Sequence, residues 1–157
     1  MGMVDCQLIT SSTYGAMSDY CRSGFWVGLF DAVDAYHSIA LKAAETLQEP
    51  LITTIPVITE VCYLLQTRRG QHFATALLRS HRRGAFRLFE MNEGHLARCE
   101  ELMTQYANLP MDFADASLVV LAEHLGHGRI VSTDQRDFGA YRWKNRQPFE
   151  NLLVDVW

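Results

Sequence analysis

Carboxylate side chains at three separate places in the chain are of the type that can bind a metal ion. Glu60 and Asp134 each follow a short, β-branched segment. Asp112 and Asp115 are three residues apart at the predicted start of a helix, so both can face one side of it. Carboxylates brought together repel one another unless a cation joins them, and their hard oxygen atoms favour Mg²⁺ or Mn²⁺.

Each of these acids also has a purely structural interpretation. Asp112 is equally suited to cap a helix, and Asp134 could stabilise a turn. Glu60 could be an exposed helix residue, and Asp137 is better explained as a turn or cap residue than as a ligand. The six histidines show no HExxH or similar ligand spacing, so they add no metal-binding pattern.

The elements that must position these acids alternate between short β-branched segments and helical patterns. This alternation is typical of an α/β fold with a largely parallel sheet. The predicted strands are 19–22, 51–54, 86–90, 129–132 and 152–156. The predicted helices are a short one within 23–30, then 35–48, 56–69, 71–83, 92–107 and 113–125. Because the carboxyl ends of parallel strands meet at one edge of a sheet, we expect Glu60, Asp115 and Asp134 to converge there.

Local signals set the ends of several helices. Asp34 and Asn92 are plausible caps at helix starts, and Pro56 suits a first helical turn because its missing N–H would be unpaired there. Gly84 and Gly126 are suited to end the helices that precede them.

Length and composition indicate one globular domain. The chain has 157 residues, of which 48% are hydrophobic and 20% charged, and this argues against disorder or a coiled coil. No apolar run approaches the ~20 residues of a membrane helix. Residues 1–18 lack periodicity and are predicted to be an irregular extension to a single domain at 19–157. Four widely spaced cysteines without a CxxC pair, and no secretory leader, predict reduced thiols in the cytoplasm.

The charge is unevenly distributed along the chain. The formal net charge is −4, and twelve of the fourteen basic residues are arginines. The window 61–89 contains no Asp or Glu. A basic face beside an acidic pocket is one interpretation, and an ordinary solvated face is the other. The arginines of this window are Arg68, Arg69, Arg79, Arg82, Arg83 and Arg87.

Four segments together resemble a PIN domain, the ribonuclease fold of VapC-type toxins. They are SGFWVGLFDAVDAYH (23–37), PLITTIPVITEVCYLL (50–65), LPMDFADASLVVLAE (109–123) and RIVSTDQRDF (129–138). The resemblance covers over three quarters of the chain, and its order and spacing are far more specific than any single segment. It implies a three-layer α/β/α sandwich with a mostly parallel sheet of 4–5 strands and a divalent-metal site, Mg²⁺ or Mn²⁺, built from four acidic positions.

The family's acidic positions carry over one by one, with one departure. The second acid matches Glu60, the third matches Asp115 with Asp112 as an auxiliary candidate, and the fourth matches Asp134, with Asp137 close behind. Where the family places its first acid, directly before SGFWVGLFD, this chain has Arg22.

Replacing a central carboxylate by a guanidinium changes the site by two charge units. We expect Arg22 to point into the acidic cluster and to pair with carboxylates where the metal would lie. Asp19 lies three residues earlier, on or before the first strand, and is a poor substitute for the missing acid. Asp31 lies where the family often carries a non-catalytic acid.

Two functional hypotheses follow from the resemblance. The first is a metal-dependent endoribonuclease with Glu60, Asp115 and Asp134 as catalytic residues, impaired by Arg22. The second is a non-catalytic PIN-like protein that binds RNA or an antitoxin. The implied partners are RNA, a cognate antitoxin and a second copy of the chain, without a membrane. RNA phosphates would be contacted by Arg68, Arg69, Arg79, Arg82 and Arg83. A receiver-type signalling domain is disfavoured, because the sequence lacks an acidic pair after the first strand and a suitably placed lysine.

Overall fold

Five short strands form one parallel sheet in residues 18–134 and 136–153, the part of the chain that the computed structural model describes. The strands are β1 (Asp19–Cys21), β2 (Leu51–Thr54), β3 (Arg87–Phe89), β4 (Arg129–Val131) and β5 (Glu150–Asn151). Their order across the sheet is β3-β2-β1-β4-β5, and every neighbouring pair is parallel. This confirms the predicted α/β class.

The sheet changes direction of winding at its centre. The chain moves outward from β1 through β2 to β3, then returns to place β4 on the other side of β1. In the register, Tyr20 pairs with Ile52 on one side and with Ile130 on the other. The carboxyl ends of β1 and β4 therefore form a topological switch point, where open α/β sheets place their sites.

Helices connect the strands, and their ends agree closely with the local sequence signals. They are α1 (Ser23–Phe30), α2 (His37–Thr46), α3 (Ile55–Arg69), α4 (Gln71–Arg82), α5 (Glu93–Gln105), α6 (Phe113–Leu125) and α7 (Asp137–Ala140). None of the helices in the described ranges is long and apolar enough to span a bilayer.

The predicted caps behave as expected at α3, α5 and α6. Pro56 lies in the first turn of α3. Asn92 caps α5 by accepting from the His95 N–H at 3.0 Å, and the His95 ring accepts from the Asn92 N–H in return. Gly126 ends α6 with φ at 77°, a conformation that glycine adopts without steric cost.

Several predicted boundaries differ from the structure by one or two residues, and two of the differences have a visible cause. Helix α2 begins at His37 rather than residue 35, because Asp34 accepts from the Tyr36 N–H at 2.9 Å in a turn before the helix. The last strand lies at 150–151, and residues 152–153 form a turn. There the Asn151 side chain accepts from the Ser132 N–H and donates to the Ser132 carbonyl, two groups that a longer ladder would have used, and it also accepts from the Leu153 N–H.

Parts of two predictions lie outside the described residues. These are residues 1–17 of the predicted extension and residues 154–156 of the last predicted strand. Cys21, Cys62 and Cys99 have free thiols, and Cys6, which was predicted to be reduced with them, lies outside the described residues.

The core packs around the helix that carries Asp115. Residues 114–122 of α6 are all buried, including Asp115. Elsewhere in the core, the Trp26 ring of α1 packs against the Phe86 ring, with 4.6 Å between the two ring centroids. A helix segment that is buried on all sides is held in its rotation by close packing, because its side chains interdigitate with those of its neighbours. The side chains at its first turn are therefore held in fixed positions.

Candidate functional site

Arg22 directly follows the first strand at the switch point, and its backbone is fixed on both sides. Its N–H donates to the Val131 carbonyl of β4 at 3.0 Å. Its own carbonyl accepts from the Phe25 N–H at 3.1 Å, which starts α1. Because the main chain is held between β4 and α1, the direction of the Arg22 guanidinium depends only on its side-chain torsion angles.

The Arg22 guanidinium points into a group of three carboxylates. Its Nε and Nη2 atoms donate to the two oxygens of Asp115 at 2.8 and 3.3 Å. Nη1 lies 2.9 Å from Asp134 Oδ2, and Nη2 lies 3.6 Å from Asp137 Oδ2. The group also lies over the Phe138 ring, 5.6 Å from its centroid. Arg22 thus has the position and direction expected from the sequence.

Asp115 is the most buried of these acids. It lies in the first turn of α6, and its side chain is 1% exposed. Burial raises the pKa of Asp115 to about 6, while the Arg22 charge and hydrogen bonds act in the opposite direction. The buried carboxylate therefore depends on Arg22 for its ionised form at neutral pH.

Asp112 has the structural role that was one of its two interpretations. It is the N-cap of α6, and its Oδ1 accepts from the Asp115 N–H at 2.8 Å. An N-cap bond of this kind stabilises a helix start by about 1 kcal/mol. Asp112 thereby holds the turn that carries Asp115.

Asp134 and Asp137 lie in the loop and short helix after β4. Asp134 Oδ1 accepts from the N–H groups of Arg136 and Asp137 at 2.9 and 3.3 Å. Although burial opposes it, hydrogen bonds from Arg22 and from these N–H groups lower the pKa of Asp134. Burial and the neighbouring Asp134 raise the pKa of Asp137. The two carboxylates behave as a pair that shares one cation.

Glu60 lies at the same edge of the sheet as the other acids, but its hydrogen-bond partner is Ser23 rather than Arg22. It lies in the second turn of α3 and accepts a hydrogen bond at Oε2 from the Ser23 hydroxyl. Ser23 directly follows Arg22 and is buried. Glu60 is therefore hydrogen-bonded to the first residue of α1, which is the next residue in the chain after Arg22.

Gly24 permits the close approach of the loop after β4 to α1. A Cβ atom built at Gly24 would lie 2.1 Å from Thr133 Oγ1. Nothing at the sequence level distinguishes this glycine from any other, because its neighbour in space is more than a hundred residues away.

Tyr141, which no sequence pattern singled out, packs beneath the acids. It is 0% exposed, and its hydroxyl is buried with no hydrogen-bond partner within the described residues. Burial, followed by the charges of Asp115 and Asp137, raises the pKa of Tyr141. No pattern could have assigned it, since a single tyrosine after a loop carries no signal.

Asp19 lies at the other end of β1. It is fully buried and pairs with Arg129 of β4 at 3.2 Å. Burial raises the pKa of Asp19 to about 6, with the Arg129 charge acting against the shift. Because Asp19 begins the strand that Arg22 follows, it does not take the place of the missing first acid.

Five of the six arginines of the window 61–89 are exposed, Arg87 of β3 being partly buried, and two of the exposed five are paired. Arg68 lies 3.3 Å from Asp34, and Arg69 lies 3.4 Å from Asp31. The remaining exposed members predicted to bind RNA lie at and just beyond the end of α4. They are Arg79, Arg82 and Arg83.

An open groove runs beside β3, from the start of α3 to the start of α6. Three apolar residues in it are well exposed: Ile55, Leu96 and Phe113. His81 and Arg87 add polar groups to its lining.

The acids do not fit a divalent ion as they are placed here. The described residues contain no group of three or more His, Cys, Asp or Glu side chains arranged to hold a metal. Asp115 and Asp134 instead direct oxygen atoms at the Arg22 guanidinium. The place that a metal would occupy between them is filled by a side-chain cation.

The model of the PIN domain family matches residues 23–144, beginning directly after Arg22. The chain belongs to the PIN domain family. It is similar to Ribonuclease VapC26 of Mycobacterium tuberculosis (strain ATCC 25618 / H37Rv), with 29% identity over 113 residues, 72% of this chain and 84% of that protein.

A solved structure shows the same fold. VapC20 of Mycobacterium tuberculosis, described as a sarcin-ricin loop cleaving toxin, matches with a TM-score of 0.71 and 21% identity, over 76% of this chain and 92% of that one. The resemblance inferred from sequence is thereby confirmed. PIN-domain nucleases of the VapC type are generally metal-dependent. An arginine at the position where the family places its first acid is therefore a departure from the family pattern.

Proposed function

We propose that this chain is an endoribonuclease of the VapC type that hydrolyses RNA phosphodiesters, with an activity that Arg22 reduces. The observation that carries the proposal is the set of carboxylates gathered at the switch point of a PIN fold: Asp115, Asp134 and Asp137, with Glu60 at its border. The similarity to a protein named as a ribonuclease supports RNA as the substrate class.

In this proposal Glu60, Asp115 and Asp134 are the catalytic residues. Asp115 and Asp134 are the first-choice ligands for Mg²⁺ or Mn²⁺, with Asp112 auxiliary through its place on the same helical turn. When bound, such an ion supplies Lewis acidity and lowers the pKa of a water molecule. The arrangement with Arg22 between the acids does not fit that ion, so we expect RNA hydrolysis by this chain to be slow.

RNA would be held by phosphate contacts from exposed arginines. Arg79, Arg82 and Arg83 are the strongest members, because Arg68 and Arg69 already pair with Asp34 and Asp31. Single-stranded and looped RNA is the form that exposes its backbone and bases to such a surface.

We further propose a protein partner of the antitoxin type, a homodimer and a cytoplasmic location. What supports a peptide partner is the open groove beside β3, in which Ile55, Leu96 and Phe113 are exposed apolar residues. Covering such apolar groups by a partner is favourable, because it removes their surface from water.

RNA cleavage by purified variants tests the nuclease proposal. The wild-type chain should cleave slowly in Mg²⁺ or Mn²⁺, Arg22→Asp should cleave faster, and Arg22→Asp/Asp115→Asn should lose that gain. Glu45→Gln, an exposed acid on α2, is the matched control and should change nothing. If Arg22→Asp is folded and cleaves no RNA that the family's toxins cleave, the nuclease proposal is wrong.

The second candidate is a non-catalytic PIN-like protein that binds RNA or an antitoxin. The ion pairs of Arg22 with Asp115 and Asp134 favour it, because they satisfy the acids without a metal. RNA binding without cleavage by the wild-type chain, across all divalent ions tried, would select this candidate.

A further inference from the structure

We propose that Arg22 is the resident cation of this acidic site: its guanidinium occupies the place between Asp115 and Asp134 and excludes a divalent ion. The inference rests on the proposed function only in taking these acids as the family's metal ligands. Its experimental test measures metal binding and folding, which need no RNA.

The contacts of the guanidinium leave no room for a second cation. Nε and Nη1 lie at 2.8 and 2.9 Å from one oxygen of Asp115 and one of Asp134, and Nη2 reaches the second Asp115 oxygen at 3.3 Å. A Mg²⁺ ion needs such oxygens at about 2.0–2.1 Å. An ion bound to these oxygen atoms would overlap sterically with the arginine nitrogens, and the positive charge of the guanidinium would repel it.

The charge of the site is also partly compensated without metal. One guanidinium lies within ion-pair distance of Asp115, Asp134 and Asp137. Arginine stays protonated at any pH at which the protein is folded, so high pH does not remove this cation. The carboxylates therefore always meet a competitor for the metal.

Arg22 cannot leave the site by a movement of the main chain. Its N–H and C=O are bonded to Val131 and Phe25, and its side chain is only 19% exposed and lies over Phe138. Vacating the site requires a side-chain rotation that breaks three ion pairs together. The fold should consequently be as stable in a chelator as in divalent ions.

Mn²⁺ titration followed by electron paramagnetic resonance tests this, because the sharp signal of free Mn²⁺ is lost on binding. Thermal unfolding in Mn²⁺ and in EDTA is measured on the same samples, since a ligand of the folded state raises its stability. The variants are Arg22→Asp, which restores a carboxylate, and Arg22→Gln, which only removes the cation. Arg98→Gln is the matched control, because it removes an arginine that holds Glu123 and Glu101 elsewhere in the fold.

The wild-type chain and Arg98→Gln should show no Mn²⁺-induced rise in Tm. Arg22→Gln should bind Mn²⁺ about 10-fold more tightly than the wild type, and Arg22→Asp on the order of 100-fold more tightly. If Arg22→Asp does not fold, the comparison of Arg22→Gln with the wild type decides the same question.

Two results would overturn the inference. One is wild-type Mn²⁺ affinity equal to that of the Arg22 variants, and the other is no Mn²⁺ binding by folded Arg22 variants. Mn²⁺ binding by Arg22→Asp without RNA cleavage would support the inference and contradict the nuclease proposal, so the two failures are distinguishable.

Discussion

Replacing Arg22 by glutamine, in a chelator, should lower the free energy of unfolding by about 2–3 kcal/mol near pH 7.5 and by only about 1 kcal/mol near pH 6. Glutamine is close to arginine in length but carries no charge. The variant therefore leaves Asp115 buried without its cation, while the more exposed Asp134 and Asp137 lose a screened partner.

The magnitude follows from the pKa of Asp115, which is about 6 in the folded wild type against an ordinary value of 3.8. Without Arg22 that pKa rises further, and the carboxyl then takes up a proton rather than stay ionised. The extra cost from Asp115 is therefore limited to the free energy of protonation, about 1.4 kcal/mol for each pH unit above 6. Near pH 7.5 this is about 2 kcal/mol, and the exposed pair with Asp134 adds up to about 1 kcal/mol.

The sign of the pH dependence is fixed by the direction of the shift. A folded-state pKa above the unfolded value gives stability that is present below the unfolded pKa and lost as pH rises through the folded pKa. In the wild type Asp115 completes this loss near pH 6, whereas in Arg22→Gln the loss continues to higher pH. The difference between the two proteins must therefore grow from pH 6 upward.

Urea unfolding of both proteins across this pH range measures the effect, with equal m-values as the check that only stability changed. Asp19 titrates in the same range in both proteins, so it cancels in the difference. Arg98→Gln should not reproduce the growth with pH, because its partners Glu123 and Glu101 lie outside this cluster. A loss for Arg22→Gln that is the same at pH 6 and near pH 7.5 would refute the reasoning.

Three further predictions concern other parts of the structure. Gly24→Ala should cost about 1–3 kcal/mol through overlap with Thr133, and adding Thr133→Ala should recover most of it in a double-mutant cycle by urea unfolding; additive losses would contradict the contact. Asp19→Asn should remove up to about 3 kcal/mol of the fall in stability between pH 4 and 6. The reason is that the pKa of Asp19 is raised in the folded state, so ionisation of this carboxyl group destabilises the fold as the pH rises through that window. An unchanged pH profile of the free energy of unfolding would argue against this role. If RNA is bound, the slope of log affinity against log salt should fall by about 2 on a triple substitution to glutamine, and an unchanged slope would exclude phosphate contacts from Arg79, Arg82 and Arg83.

Much of the framework could be predicted from the sequence because its signals are local. A proline at a first turn, a capping asparagine and glycines past helix ends act within four residues of the boundary that they set. Helix α5 begins directly after Asn92, and α3 and α6 end directly before Gly70 and Gly126. The β-branched segments are short and separated by helices, and this alternation favours parallel strands with their carboxyl ends at one edge. The convergence expected for the acids follows from that topology.

Local sequence signals thus account for the fold class, for most helix ends and for the edge of the sheet at which Arg22 and the acids lie. The atoms that these side chains contact follow from the tertiary packing. Arg22 and Asp115 are separated by 93 residues, and no local pattern encodes that three carboxylates share one guanidinium. The same holds for the buried pair of Asp19 with Arg129, and for the fit of Gly24 against Thr133. Such contacts depend on the packing of whole elements, because side-chain distances of a few ångströms are set by how helices and strands are rotated and spaced in the core.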